Sequence, residues 1–170
     1  MILLIIITIL MGNPLNTELI GKHISEIPNV KPSVKEANYN SYLKTSDTGL
    51  YLGKPYQFFT IITDKKDVVK ELSIRVNEVL DRSFFDRMVK EYGNPVGLYN
   101  IDKTLETSTS FHEDGGSSTR SRGSMRKCTF EEEPIFIVWS IKDYSLTVTI
   151  TRQGSSPRTS ISLENKSFWK

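Results

Sequence analysis

The side chains able to hold a metal or move a proton are few in this sequence, and most fall in one segment. His112, Glu113, Asp114 and Cys128 lie near one another in the chain, while His23 stands far from them. Imidazole, carboxylate and thiolate are ligands that zinc and copper accept. Their spacing here fits no metal motif, so the expectation is a surface histidine beside a glycine turn, with no metal and no cofactor. Nucleophilic catalysis needs a nucleophile paired with an oriented base. The chain has no Gly-x-Ser-x-Gly elbow and no His-Glu-x-x-His helix. Gly115-Gly116-Ser117-Ser118 lacks the lysine and the strand-to-helix setting of a phosphate cradle. The sequence therefore assigns no catalytic residue, and the protein is expected not to be an enzyme.

Two sets of residues are suited to binding. Arg120, Arg122, Arg126 and Lys127 precede Glu131-Glu132-Glu133. Such cations either draw in an acidic partner or an anionic headgroup, or satisfy themselves on the neighbouring glutamates. The second set is Ser73, Arg75, Thr147, Thr149 and Thr151, which alternate with apolar residues and so share the side of their strands away from a core. That side is either a ligand surface or a solvated row of residues that favour strands. The candidate binding residues are accordingly Arg75, Thr147, Thr149, Arg120, Arg122 and Arg126.

The elements that position them follow from periodicity. Leu72, Ile74 and Val76, preceded by Val68, alternate with Glu71, Ser73, Arg75 and Asn77, which is the pattern of a half-buried strand. Gln57 to Thr63 is rich in Phe, Ile and Thr, and Asp64-Lys65-Lys66-Asp67 is short and polar enough to close a hairpin between the two runs. Phe85, Met88, Val89 and Tyr92 recur at helical spacing, which predicts a helix from Ser83 to Tyr92. Ser83 with Asp86 should cap its start, and Gly93 and Pro95 should end it. Ile135 to Lys142, Leu146 to Thr151 and Thr159 to Leu163 then read as a three-stranded meander, with Phe168 and Trp169 packing back on the body.

Strands before and after one helix, without repeated strand-helix alternation, predict an α+β fold. We expect a single antiparallel β-sheet of five to six strands with the helix packed on one face. The segment 103–133 is rich in Ser, Thr and Gly, and reads either as a long polar loop or as a protruding hairpin with a glycine turn. Residues 20–50 read as an irregular lead-in interrupted by Pro28 and Pro32, and 51–170 as the folded domain.

Ile2 to Met11 is an uncharged apolar run, shorter than the roughly 20 residues that span a bilayer and of the length of a signal-peptide core. It carries no basic residue before Lys22 and no obvious cleavage site, and a buried strand is the competing reading. The expectation is a leader over 1–19 and a periplasmic or secreted protein; an uncleaved membrane anchor and a cytoplasmic location are the alternatives. A net charge of +2 over 170 residues argues against nucleic acid as the partner. One cysteine permits no disulfide within the chain.

The steps Gly53-Lys54-Pro55 and Gly93-Asn94-Pro95 are each followed by an aromatic residue and an isoleucine at matching offsets: Phe59 and Ile61, then Tyr99 and Ile101. They resemble the Gly-x-Pro turns of small envelope proteins of the SmpA and β-lactamase-inhibitor-like kind, and that resemblance implies a binding module. It covers those few residues and carries over no site residue. The sequence is thus read as a non-catalytic exported module that binds a protein or envelope component. The alternative is a hydrolase or small-ligand-binding protein whose site gathers scattered polar residues from the sheet face and the 103–133 segment.

Overall fold

A computed structural model describes residues 13–44, 49–111, 117–152 and 156–167, with backbone alone over 104–111 and 117–122. The Ile2–Met11 run, His112, Glu113, Asp114, Phe168 and Trp169 lie outside the described residues, and the side chains of Arg120 and Arg122 are likewise not described. No helix among the described residues is long and apolar enough to cross a membrane.

The strands are β1 (Val30–Lys35), β2 (Asn40–Lys44), β3 (Gly49–Tyr51), β4 (Lys54–Tyr56), β5 (Phe58–Thr63) and β6 (Val69–Val76), followed after the helix by β7 (Gly97–Phe111), β8 (Ser117–Lys127), β9 (Phe136–Ile141), β10 (Tyr144–Thr151) and β11 (Arg158–Asn165). The helix α1 spans Arg82–Tyr92. Nine strands form one antiparallel sheet in the order β1-β2-β5-β6-β11-β10-β9-β7-β8, and β3 with β4 forms a separate two-stranded sheet. The expected α+β fold with five to six strands is therefore corrected to a mostly β protein with one long sheet and one α-helix among the described residues. One end of the sheet was unforeseen, and the other answers to one of two alternatives. One end comes from the segment read as an irregular lead-in, and the other from the segment read as loop or hairpin.

The physical reason differs at the two ends. In β2 the inward positions are Asn40 and Tyr42, so no apolar alternation advertises the strand. They are held by Asp67, whose carboxylate accepts from Asn40 Nδ2 at 2.8 Å and from Tyr42 Oη at 2.6 Å. These bonds keep the Asp67 carboxyl below its ordinary range. Burial, with the bond to Asp67 and its charge, pushes the Tyr42 phenol up to about 12. At the other end β7 pairs with β9 only from Gly97 to Tyr99 and otherwise runs beside β8 alone. Where its burial is described beyond the sheet, from Ile101 to Lys103, both faces are exposed, and such a stretch needs no hydrophobic period.

The core strands fold as their patterns require. β5 and β6 pair antiparallel across the 64–67 turn, as expected. A bulge between Ile62 and Thr63 shifts the register, so that Val69 instead of Val68 joins Leu72, Ile74 and Val76 in the core. The meander β9-β10-β11 forms with continuous register, and β11 closes it against β6 through Ile161 opposite Ile74. Phe84, Phe85 and Met88 of α1 are buried among these strands. The Phe85 ring lies 6.2 Å from that of Trp139, and Trp139 Nε1 donates to Gly93 O at 2.8 Å, tying the helix end to β9.

The start of α1 is capped two residues earlier than the sequence suggests, at Asp81 instead of Ser83. Asp81 accepts from Phe84 N at 2.7 Å and from Ser83 Oγ at 2.8 Å, while Asp86 pairs with Arg82 at 2.9 Å. Asp81 also meets Lys54 at 2.9 Å, so one carboxylate fixes the helix start to the β3-β4 hairpin. Both Gly-x-Pro glycines have left-handed backbone, Gly53 with φ 79 in the β3-β4 turn and Gly93 with φ 78 at the helix stop. The two steps share a backbone need and serve different elements.

Candidate functional site

The side of the sheet away from α1 carries the residues that alternate with the core. Two cross-strand rows can be traced by register. In one, Thr60, Ser73, Ser162 and Thr147 stand in line across β5, β6, β11 and β10. Ser162 Oγ and Ser73 Oγ share a hydrogen bond at 3.0 Å, so part of this hydroxyl row is bonded to itself. In the next row Phe58, Arg75, Ser160, Thr149, Phe136, Tyr99 and Lys127 follow one another from β5 to β8. Arg75 lies over the Phe58 ring at 5.3 Å.

This geometry brings some of the sequence candidates together and separates others. Arg75 and Thr149 share a row, two strands and hence about 10 Å apart. Thr147 sits in the adjoining row. Arg126 belongs to β8, beyond β9 and β7, and its guanidinium is taken by Glu132 at 2.7 Å. Arg120 and Arg122 have Ser108 and Glu106 of β7 as register partners. No single surface patch therefore contains all six.

The open face also pairs two carboxylates that spacing alone did not reveal. Glu71 of β6 and Glu164 of β11 are direct cross-strand partners. Burial lifts the Glu71 carboxyl above its usual range; a hydrogen bond with Ser162 opposes the shift and the Glu164 charge adds to it. Neither carboxylate lines any of the three clefts found among the described residues.

The largest of these clefts, about 550 Å³, opens where the β7-β8 hairpin leaves the sheet. Its walls include Ile101, Met125, Ile135, Phe136, Thr149 and Thr151, with Asn100, Glu133 and Arg152 at the polar side. Ile101 and Met125 are cross-strand partners, and each is about half exposed, at 53% and 49%. The polar side is built from fixed groups. Asn100 Nδ2 donates to the carbonyls of Glu132 and Glu133, and Arg152 Nη1 donates to those of Glu133 and Pro134 at 3.1 and 2.7 Å. Glu133 itself has left-handed backbone with φ 56, held there by these bonds and by its N-H donating to Phe130 O. With Nη1 engaged, the Nε and Nη2 hydrogens of Arg152 meet no protein acceptor among the described residues.

Of the six candidate binding residues only Thr149 lines this cleft, joined by Thr151 from the same open-face set. Ile101, Met125, Phe136 and Arg152 escaped because their types signal a core or a strand end, and they meet only through pairing between distant strands. The one visible signal was the long connection itself. A cleft of this size, apolar with a few convergent donors, has the make-up of a ligand pocket. Among the described residues no group of three or more His, Cys, Asp or Glu is placed to hold a metal. Cys128 is half-buried, and burial raises its thiol above the usual range. No family model, no curated protein and no solved structure matches this chain, so the site rests on its own geometry.

Proposed function

We propose that the protein is a non-catalytic binding module of the cell envelope or the secreted fraction, acting through its open sheet face and above all through the cleft at the root of the β7-β8 hairpin. The observation that carries this reading is the pair Ile101 and Met125, large apolar side chains held half-exposed over a cavity whose far side presents Arg152 donors that meet no acceptor among the described residues. Exposed apolar surface on a folded domain costs solubility and is kept where something covers it. The ligand that fits is an apolar group bearing an acceptor such as a carboxylate, contributed by a protein or envelope component. Export rests on the Ile2–Met11 run.

The test uses methyl-labelled methionine, because Met125 lines the cleft while Met88 is fully buried on the inner face of α1. Titration with small aryl and alkyl carboxylates should move the Met125 methyl resonance and leave that of Met88 in place. Arg152→Gln should weaken the best of them by about tenfold, the worth of one charge-assisted hydrogen bond. If no compound shifts Met125 more than Met88, the cleft is not a binding site. Cell fractionation with intact mass tests the compartment separately, and a full-length cytosolic species would remove export from the proposal.

A further inference from the structure

The two edges of the long sheet are built differently. At one edge β1 is six residues long, contains Pro32, and loses register between Pro32 and Val34. Those are the devices that keep an edge strand from pairing with another chain. At the opposite edge β8 runs for eleven residues, about 35 Å of extended chain, with no proline.

Register sharpens the contrast. The irregularities in the β7-β8 pairing fall between Ile101 and Lys103 and between Thr104 and Glu106, so the extra residues Asp102 and Leu105 belong to β7. The backbone of β8 is uninterrupted from Ser117 to Lys127, and its outer edge pairs with no other strand among the described residues. Beyond Tyr99 the hairpin stands as two strands, an arrangement of marginal stability in water that a third strand would reinforce.

The sequence of β8 says which third strand. It contains Arg120, Arg122, Arg126 and Lys127 and no acidic residue; Glu132 pairs with Arg126, and Glu106 of β7 is the register partner of Arg122. A second copy of β8 laid antiparallel in register would set Arg122 directly opposite Arg122 and bring no acidic residue to any of the other cations, which disfavours self-pairing. An acidic strand meets the opposite condition, and main-chain hydrogen bonds to a bare edge supply affinity without a pocket.

We propose that the outer edge of β8 receives an extended acidic segment of another protein as an added antiparallel strand. The edge meets the cleft only at Met125, and the failure of either proposal leaves the other standing. The probe is a synthetic peptide of alternating glutamate and threonine as long as β8, added to the full chain. It should bind, slow amide exchange over Ser117–Lys127, and lose about tenfold in affinity on a rise from low to physiological salt. The paired change Arg120→Glu and Arg122→Glu should cost at least as much, with the thermal midpoint confirming that the variant folds. A peptide of the same side chains with every backbone nitrogen methylated leaves the protein untouched and should not bind. Equal binding of that peptide would overturn strand addition and leave only charge attraction. Tighter binding of polyuridylate than of the acidic peptide would overturn the choice of partner.

Discussion

The two faces of β10 put the two halves of this molecule side by side. Leu146, Val148 and Ile150 point under the helix and are almost wholly removed from water. Thr147, Thr149 and Thr151, one residue along in each case, face the side that no helix covers. On the covered face of β10 the three positions are alike in chemistry and fixed in shape, because burial of apolar area is what holds them. On the open face neighbouring positions differ in kind: a bonded serine pair, an arginine over a phenylalanine, two opposed glutamates. A strand can thus keep the fold with one set of residues and leave the alternate set to recognition.

The largest effect expected from breaking this division is on the covered side. Trp139 is 1% exposed, packs against Phe85 and donates to Gly93 O. Trp139→Ala should lower stability by about 3–5 kcal/mol through the cavity and the stranded carbonyl at the helix end, whereas Thr149→Ala on the open face should stay within about 0.5 kcal/mol. Chemical denaturation of the two variants checks the contrast; equal losses would mean that the open face is as structural as the core.

A smaller effect is expected where the helix is pinned to its sheet. Asp81 caps α1 and meets Lys54, and the Lys54 ammonium together with the Phe84 N-H holds its carboxyl well below the usual range. Asp81→Ala should cost about 1–2 kcal/mol at neutral pH. The sign with pH follows from the lowered value: the aspartate contributes stability above its ordinary pKa of 3.8, and loses that contribution as pH falls through the lower folded value. Wild type and variant should therefore converge in acid. Thermal midpoints across a pH series would show it, and a constant gap down to strong acid would assign the loss to the helix cap without its charge.

How much of this was legible from the residues depended on whether a segment buried anything. β5, β6, α1 and the meander announced themselves because alternate or every third and fourth side chain is apolar, and burial enforces that period. β1 and β2 were invisible, since Pro32 interrupts one and the inward groups of the other are Asn40 and Tyr42, satisfied by an aspartate from a distant turn. The hairpin was legible as an alternative and no more, for the Leu105, Thr107, Thr109 and Phe111 alternation suits either a strand or a loop. The open face could be named residue by residue from parity, and Thr149 reached the cleft by that route. The cleft as a whole could not, because it depends on Ile101 meeting Met125 and on Arg152 reaching two backbone carbonyls.

The finest test of the two-face division lies in Glu71. It sits on the uncovered side yet its carboxyl is raised, first by burial and then by the opposed Glu164. A raised acid is the reverse of Asp81: ionising it works against the fold, so the cost is absent below the ordinary value of 4.5 and grows as pH climbs through the higher folded value. Glu71→Gln keeps an acceptor for Ser162 and removes the charge, so it should raise stability at neutral pH by about 0.2–1 kcal/mol, the range for like charges set opposite in a sheet. Below pH 4.5 the gain should vanish. The double variant with Glu164→Gln should gain less than the sum of the two single changes, since each relieves the same repulsion. Additive gains would mean that burial alone raises Glu71, and a loss of stability in the single variant would mean that its charge is answered by a group on the open face that helps to hold the sheet together.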